Sequence, residues 1–136
     1  MSLTLNGYQL NASKTAVYTG RDSFLGLMYV TGKLAGETGE IAENVFKALR
    51  DDGIAFITAK IPVHEPYSTQ NIAVQFDCIS PDRREKIKKE LGDALWYISQ
   101  VAYELGLTLE EVAVANNLKL ADRQERGVLH GSGDNR

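Results

Sequence analysis

An acidic motif that occurs twice is the feature that most limits how this chain can fold. The segments ETGE (37–40) and ELGD (90–93) both read acid, any residue, glycine, acid. Both lie in stretches with helical periodicity, where positions i and i+3 share one face, so each motif presents two carboxylates side by side. Like charges in that arrangement destabilise an isolated helix by about a few tenths of a kcal/mol. Their presence on two helices indicates that a cation lies between them.

The spacing of apolar residues predicts four helices. These residues recur every three or four positions, as they do on the buried face of a helix. The predicted helices run from Leu5 to about Tyr18, from Phe24 to about Arg50, from Ser80-Pro81 to about Leu105, and from Thr108 to about Arg126. Gly106 is expected to end the third helix, and Thr108 with Glu111 forms a capping box that opens the fourth.

The segment between the second and third helices is the least helical part of the chain. It is rich in β-branched and aromatic residues and is divided by Pro62 and Pro66. This composition predicts a loop or a small β-hairpin at about 54–80. The predicted architecture is therefore all-α: a four-helix bundle carrying this insert, with residues 1–136 forming a single domain.

Composition narrows the class of protein. Fifteen basic and eighteen acidic residues give a net charge of −3, which argues against binding to a nucleic-acid polymer, because phosphate backbones need a basic surface. The single cysteine, Cys78, fits a reducing compartment. No apolar run approaches the roughly 20 residues of a membrane span. We therefore expect a cytoplasmic protein that makes no membrane contact.

Glycines distinguish the acidic motifs from an ordinary charged helix face. Taken alone, each acidic pair would more often be a solvent-exposed surface than a site. However, Gly36, Gly39 and Gly92 lie inside predicted helices, where glycine costs about 1 kcal/mol relative to alanine. We expect close approach of another helix or of a ligand to compensate for that cost.

The residue types around the motifs indicate which cation binds. Four carboxylates brought together without a counter-ion would repel one another and take up protons. His64 and His130 are not within helical spacing of the motifs, and zinc sites favour nitrogen and sulfur ligands. An all-oxygen set favours Mg²⁺ or Mn²⁺, and Mg²⁺ commonly binds through substrate phosphates as well.

With these residues, the chain resembles the MazG-like nucleoside triphosphate pyrophosphohydrolases of the all-α NTP pyrophosphatase superfamily. Their signature is E-x-x-E, a spacer, and E-x-x-D, which here falls on Glu37, Glu40, Glu90 and Asp93. The stretches LAGETGEIAENVFKALRDDG and KKELGDALWYISQVAYELGLTLEEV resemble the family too, as does the downstream NNLKLADRQERG. The spacer of 49 residues (41–89) is longer than usual in the family, and the insert accounts for its length.

The resemblance implies an activity and a set of site residues. It implies hydrolysis of canonical or damaged (deoxy)nucleoside triphosphates to monophosphate and pyrophosphate, in nucleotide-pool control or housecleaning. The four motif acids would hold Mg²⁺, with Mn²⁺ as a possible substitute, and Glu37 or Glu40 would orient or deprotonate the attacking water. The family habit also favours a homodimer or a dimer of dimers.

Candidate substrate contacts lie outside the acidic motifs. Asn116 and Lys119 match the downstream N-x-x-K of the family, and Arg123 follows Lys119 by one helical turn. We expect them to contact phosphate or sugar, although a solvent-exposed helix face is an equally good interpretation of Lys119 and Arg123. Tyr97 lies one turn beyond Asp93 and is either a core residue or a contact for ribose or base. Gln9 is a weaker candidate for a nucleotide contact.

Two other classes of protein remain compatible with the sequence. One is a non-catalytic, regulatory helical module that binds metal or nucleotide without turnover. The other is a helical scaffold whose acidic residues are merely solvated. The intact set of four acids favours the enzyme over both.

Overall fold

The computed structural model describes residues 3–52, 56–60, 70–74 and 79–128. Within them the chain forms four helices: α1 (Leu5–Ser13), α2 (Phe24–Asp51), α3 (Pro81–Glu104) and α4 (Leu109–Glu125). These helices confirm the predicted all-α class and the predicted helix count. No helix in this part of the chain combines the length and apolar character needed to cross a membrane.

Local capping fixes the start of α4 and the end of α3, both as predicted. The Thr108 side chain accepts a hydrogen bond from the Glu111 backbone N–H at 3.1 Å, and the Glu111 carboxylate accepts one from the Thr108 N–H at 2.7 Å. This capping box satisfies two backbone donors that the helix itself leaves without partners. Gly106 follows α3 with a φ of +68°, a conformation that glycine adopts without steric cost.

The first helix is shorter than predicted, because it ends at Ser13 rather than near Tyr18. After Ser13 the backbone makes tighter i→i+3 bonds, and the Thr15 hydroxyl donates to the Ala12 carbonyl at 2.8 Å. The Arg21 guanidinium donates from Nη1 to the carbonyls of Ser13 and Ala16, at 3.1 Å each. These contacts give partners to carbonyls that the end of a helix leaves without intrahelical bonds.

Two short strands lie between α2 and α3, as the hairpin alternative for the insert predicted. Strands β1 (Phe56–Lys60) and β2 (Gln70–Val74) pair antiparallel, with Phe56 opposite Val74 and Lys60 opposite Gln70. Residues 53–55, 61–69 and 75–78, which include His64 and Cys78, lie outside the described residues, as does His130.

The chain divides into two compact units. The terminal unit comprises the chain up to Leu34 and from Leu95 onward, and the central unit comprises Ala35–Ala94. In the terminal unit the buried apolar residues are Ala12, Ala16, Val30, Ala102 and Leu109, and in the central unit they are Ala48 and Ala94. The prediction of a single domain over 1–136 stays a prediction.

Candidate metal centre

Three of the four motif acids meet in the central unit. One carboxylate oxygen each from Glu37, Glu40 and Glu90 lies within 4.8 Å of the other two. Glu37 and Glu40 come from one face of α2, because they are three residues apart, and Glu90 comes from α3. Glu37 and Glu90 are half-buried, whereas Glu40 is exposed. The arrangement offers oxygen ligands from two helices to one point, as a divalent cation requires.

The electrostatics of this cluster disfavour the ionised form of one of its carboxylates. The pKa of Glu90 is raised above its ordinary value, first by partial desolvation and then by the negative charges of Glu40, Asp93 and Glu37. A raised carboxyl pKa means that the charged form is disfavoured where the side chain lies. A bound cation would reverse that effect, because opposite charge favours the ionised form.

Asp93 completes the acidic set electrostatically, but it is not one of the three converging carboxylates. It lies on α3, is exposed, and contributes to the raised pKa of Glu90. The structure therefore brings Glu37, Glu40 and Glu90 together within ligand distance, whereas the role of Asp93 as a metal ligand stays a prediction.

The glycines near the motifs do not serve packing between helices. A Cβ atom added at Gly36, Gly39 or Gly92 would meet no heavy atom within 4 Å in the part of the chain that the structure describes. The expectation that another helix approaches at these positions is wrong for this part of the chain. The alternative, that the free space serves a ligand, stays a prediction.

The four predicted substrate contacts all lie in the terminal unit, in different environments. Asn116 and Lys119 are exposed on α4 and line a surface hollow of about 590 Å³. Arg123 is buried, with 5% of its surface exposed. Tyr97 is half-buried, and its ring packs edge-on against Trp96 with ring centroids 4.9 Å apart. Burial makes Arg123 a less accessible candidate than Asn116 or Lys119.

Gln9 does not act as a free nucleotide contact, because its amide is committed to the fold. Its Nε2 donates to the carbonyls of Ser99 at 3.2 Å and Leu107 at 3.0 Å, and its Oε1 accepts from the Leu109 N–H at 3.0 Å. The residue is 8% exposed. Both amide donors and the oxygen are thus used, and the side chain joins α1 to the turn between α3 and α4.

Sequence reasoning missed a pair of charged residues in the central unit. Arg83, at the start of α3, forms a salt bridge with Asp52, just past the end of α2, with 3.2 Å between Nη2 and Oδ1. The two residues are 31 positions apart, so no helical spacing connects them. The only sequence signal was the coincidence of acids ending one helix with basic residues opening the next.

Comparison with known proteins assigns the chain to a family. The family model of the MazG nucleotide pyrophosphohydrolase domain matches residues 29–128, which is most of the chain and includes all four motif acids. The chain therefore belongs to the MazG nucleotide pyrophosphohydrolase family, and the resemblance seen in the sequence is confirmed.

A curated relative extends this similarity to nearly the whole chain. The chain is 41% identical over 133 residues to "Gene 37 protein" of Mycobacterium phage L5, covering 95% of this chain and 96% of the relative. That name carries no statement of activity. No solved structure matches the chain.

Proposed function

We propose that this chain catalyses Mg²⁺-dependent hydrolysis of (deoxy)nucleoside triphosphates to monophosphate and pyrophosphate. The observation that carries the proposal is the convergence of Glu37, Glu40 and Glu90 from two helices in a member of the MazG nucleotide pyrophosphohydrolase family. Such an activity would remove canonical or damaged nucleotides from the pool. The proposed compartment is the cytoplasm.

The donor set fits a hard divalent cation. All three converging atoms are carboxylate oxygens. Mg²⁺ and Mn²⁺ prefer oxygen ligands, whereas softer metals prefer nitrogen or sulfur. The raised pKa of Glu90 is in keeping with a cation site, since a bound cation would favour the ionised carboxylate. When bound, Mg²⁺ would offset the charge of the phosphates and lower the pKa of water.

Glu37 and Glu40 are the proposed catalytic carboxylates. One of them would accept a hydrogen bond from the attacking water and take its proton as the water oxygen bonds to phosphorus. The bond between the α-phosphorus and the oxygen that bridges it to the β-phosphorus then breaks. Pyrophosphate leaves with that oxygen and the bonding electron pair. Glu90 and Asp93 would complete the ligand set, holding the site in place while charge develops on the transferring group.

Residues of the terminal unit are the proposed contacts for the rest of the nucleotide. Asn116 and Lys119 present an amide and an ammonium group at an exposed hollow, and such groups bind phosphate or sugar oxygens. Tyr97 is proposed to pack against ribose or base. Arg123 is also proposed to contact phosphate. Because Arg123 is buried, the substrate would have to gain access to its guanidinium.

The proposed assembly is a homodimer or a dimer of dimers. Large apolar side chains stand exposed on the single chain, including Phe24 at 75% and Phe46 at 69%. Exposed apolar surface of this kind commonly becomes buried when subunits associate. Sedimentation at micromolar concentration would test this part of the proposal.

Product analysis tests the proposed reaction. The purified chain would be incubated with each common ribo- and deoxyribonucleoside triphosphate and with Mg²⁺, and products would be separated by anion-exchange chromatography. We expect monophosphate and pyrophosphate in equal amounts from at least one substrate, and none with EDTA. Release of orthophosphate together with the nucleoside diphosphate would contradict the proposal. Saturable nucleotide binding without any product would support a regulatory module instead.

A further inference from the structure

A polar contact joins the end of α2 to the start of α3 in the central unit. The Asp52 carboxylate accepts hydrogen bonds from Arg83 Nε at 3.3 Å and Nη2 at 3.2 Å, one to each oxygen. Ser80 Oγ donates to Asp52 Oδ2 at 3.2 Å and accepts from the Arg83 N–H at 3.3 Å. We refer to Asp52, Ser80 and Arg83 as the helix clamp.

The helix clamp is better shielded than the other ion pairs formed by described residues of the central unit. The side chains of Arg83 and Asp52 are 11% and 9% exposed, whereas those of Lys88 and Glu85 are 73% and 64% exposed. The paired arginine nitrogens meet both carboxylate oxygens, a geometry that fixes orientation as well as distance. The hydrogen bonds from Arg83, and then its positive charge, lower the pKa of Asp52, so the pair stays ionised at neutral pH.

Chain connectivity alone does not fix how far α3 slides along α2. Asp52 and Ser80 are 28 residues apart, and a connection of that length can span many separations of two helices. Each residue of slip displaces a helix by about 1.5 Å along its axis. Mg²⁺ binds oxygen ligands at a distance of about 2.0–2.1 Å. A slip of one residue would therefore move Glu90 too far from Glu37 and Glu40 for all three to bind one ion.

We propose that Asp52 and Arg83 are positioning residues, which set the axial register of α3 against α2 and so align Glu90 with Glu37 and Glu40. The inference rests on the proposed function, because it assumes that the carboxylates bind a divalent cation. Arg83 precedes Glu90 by seven residues on α3, about 10 Å along the helix. It acts through the helix and does not touch the metal or the substrate.

Mn²⁺ binding to single variants tests this role. Isothermal titration would compare the wild type with Arg83→Met, which keeps an aliphatic stem but cannot bind a carboxylate. We expect the Mn²⁺ affinity to fall by about 10–100-fold, the range found when groups that orient metal ligands are removed. Lys88→Met is the matched control, because it removes an exposed pair from the same helix, and its affinity should equal that of the wild type.

Restoring the pair distinguishes positioning from general stabilisation. Arg83→Lys keeps the charge but cannot make the bidentate contact with the Asp52 carboxylate. Its Mn²⁺ affinity should therefore lie between those of Arg83→Met and the wild type. The exchanged variant Asp52→Arg with Arg83→Asp should recover affinity relative to either single change. Kinetics provide a second measurement, since the Mg²⁺ concentration needed for half-maximal activity should rise at least tenfold in Arg83→Met.

The outcomes separate this inference from the proposed function. If the wild type binds Mn²⁺ while folded Arg83→Met binds equally well, the positioning role is wrong and the metal centre stands. If the wild type has no saturable Mn²⁺ site, the proposed function itself fails. Circular dichroism at the titration temperature would establish that each variant is folded. Should Arg83→Met not fold, the comparison of Arg83→Lys with Lys88→Met decides the matter.

Discussion

The Gln9 amide of the terminal unit and the acidic cluster of the central unit differ in how far the described chain satisfies their polar groups. In the terminal unit, the Gln9 amide has a partner for both donors and for its oxygen. In the central unit, three carboxylates converge, and the pKa of Glu90 is raised by desolvation first and then by the negative charges around it. Satisfied polar groups help to specify a fold, whereas convergent like charges mark a candidate functional site. The difference supports the proposed metal centre in the central unit.

The largest expected effect is loss of turnover when the central unit loses one acid. Glu40→Gln removes a ligand and a candidate base, so pyrophosphate release should fall by about 10²–10⁴-fold, measured by steady-state assay. Circular dichroism should be unchanged, because Glu40 is exposed. Full activity in this variant would contradict the assignment of the site.

Glu43→Gln is the matched control for that experiment. Glu43 lies three residues beyond Glu40 on the same helix and carries the same charge, but it pairs with Lys47 at 2.7 Å. Exposed pairs of this kind contribute little, so turnover should stay within about twofold of the wild type. An equal loss in both variants would mean that the net charge of α2, rather than the site, determines activity.

The next largest effect should be on the free energy of unfolding, after a substitution in the terminal unit. Gln9→Met fills a similar volume but leaves the Ser99 and Leu107 carbonyls and the Leu109 N–H without their partner. Unsatisfied buried groups cost about 1–3 kcal/mol each, so we expect the free energy of unfolding to fall by about 3 kcal/mol in urea titrations. Mn²⁺ affinity should not change below the transition.

Asn11→Ala is the control for Gln9→Met. Asn11 is also on α1, but it is exposed, and among the described residues its carboxamide oxygen accepts a hydrogen bond from Lys14 Nζ at 2.9 Å. Surface substitutions of this kind usually change stability by less than about 0.5 kcal/mol. A similar loss in both variants would show that α1 is sensitive at every position, rather than through the Gln9 contacts.

A contrast between local and distant contacts explains which features could be predicted from the sequence. The start of α4 depends on Thr108 and Glu111, and the paired acids depend on i,i+3 spacing, so both are readable within a few residues. The end of α1 depends on Arg21, eight positions beyond Ser13. The partners of Gln9 lie 90 to 100 positions away, and Asp52 lies 31 positions from Arg83. No periodicity connects residues at those distances, so only the fold reveals the pairs.

The acidic cluster should also make stability depend on pH when no metal is bound. The folded pKa of Glu90 is raised from its ordinary 4.5, so folding favours the protonated form and the stabilisation is present below that value. It is lost as pH rises through the raised folded pKa. In EDTA at pH 7, Glu90→Gln should therefore melt on the order of a few degrees above the wild type, and the difference should vanish below about pH 4.

Mn²⁺ should reverse that order at pH 7, because it stabilises only a chain with an intact ligand set. Differential scanning fluorimetry with and without Mn²⁺ would measure both differences. If Glu90→Gln melts below the wild type in EDTA, then repulsion among the carboxylates does not destabilise the free protein, and the contrast between the two units is lost.

The smallest expected effect concerns a glycine that no described residue approaches. Gly39 lies inside α2, where alanine would stabilise the helix by about 0.5–1 kcal/mol, and its Cβ would meet no described atom within 4 Å. If that space admits substrate beside Glu40, then Gly39→Ala should raise the melting temperature while lowering kcat/KM severalfold. Thr38→Ala raises helix propensity without adding an atom, so it should raise the melting temperature and leave kcat/KM unchanged. Unaltered kcat/KM in Gly39→Ala would show that the glycine does not serve the reaction, and would remove it from the features that distinguish the central unit.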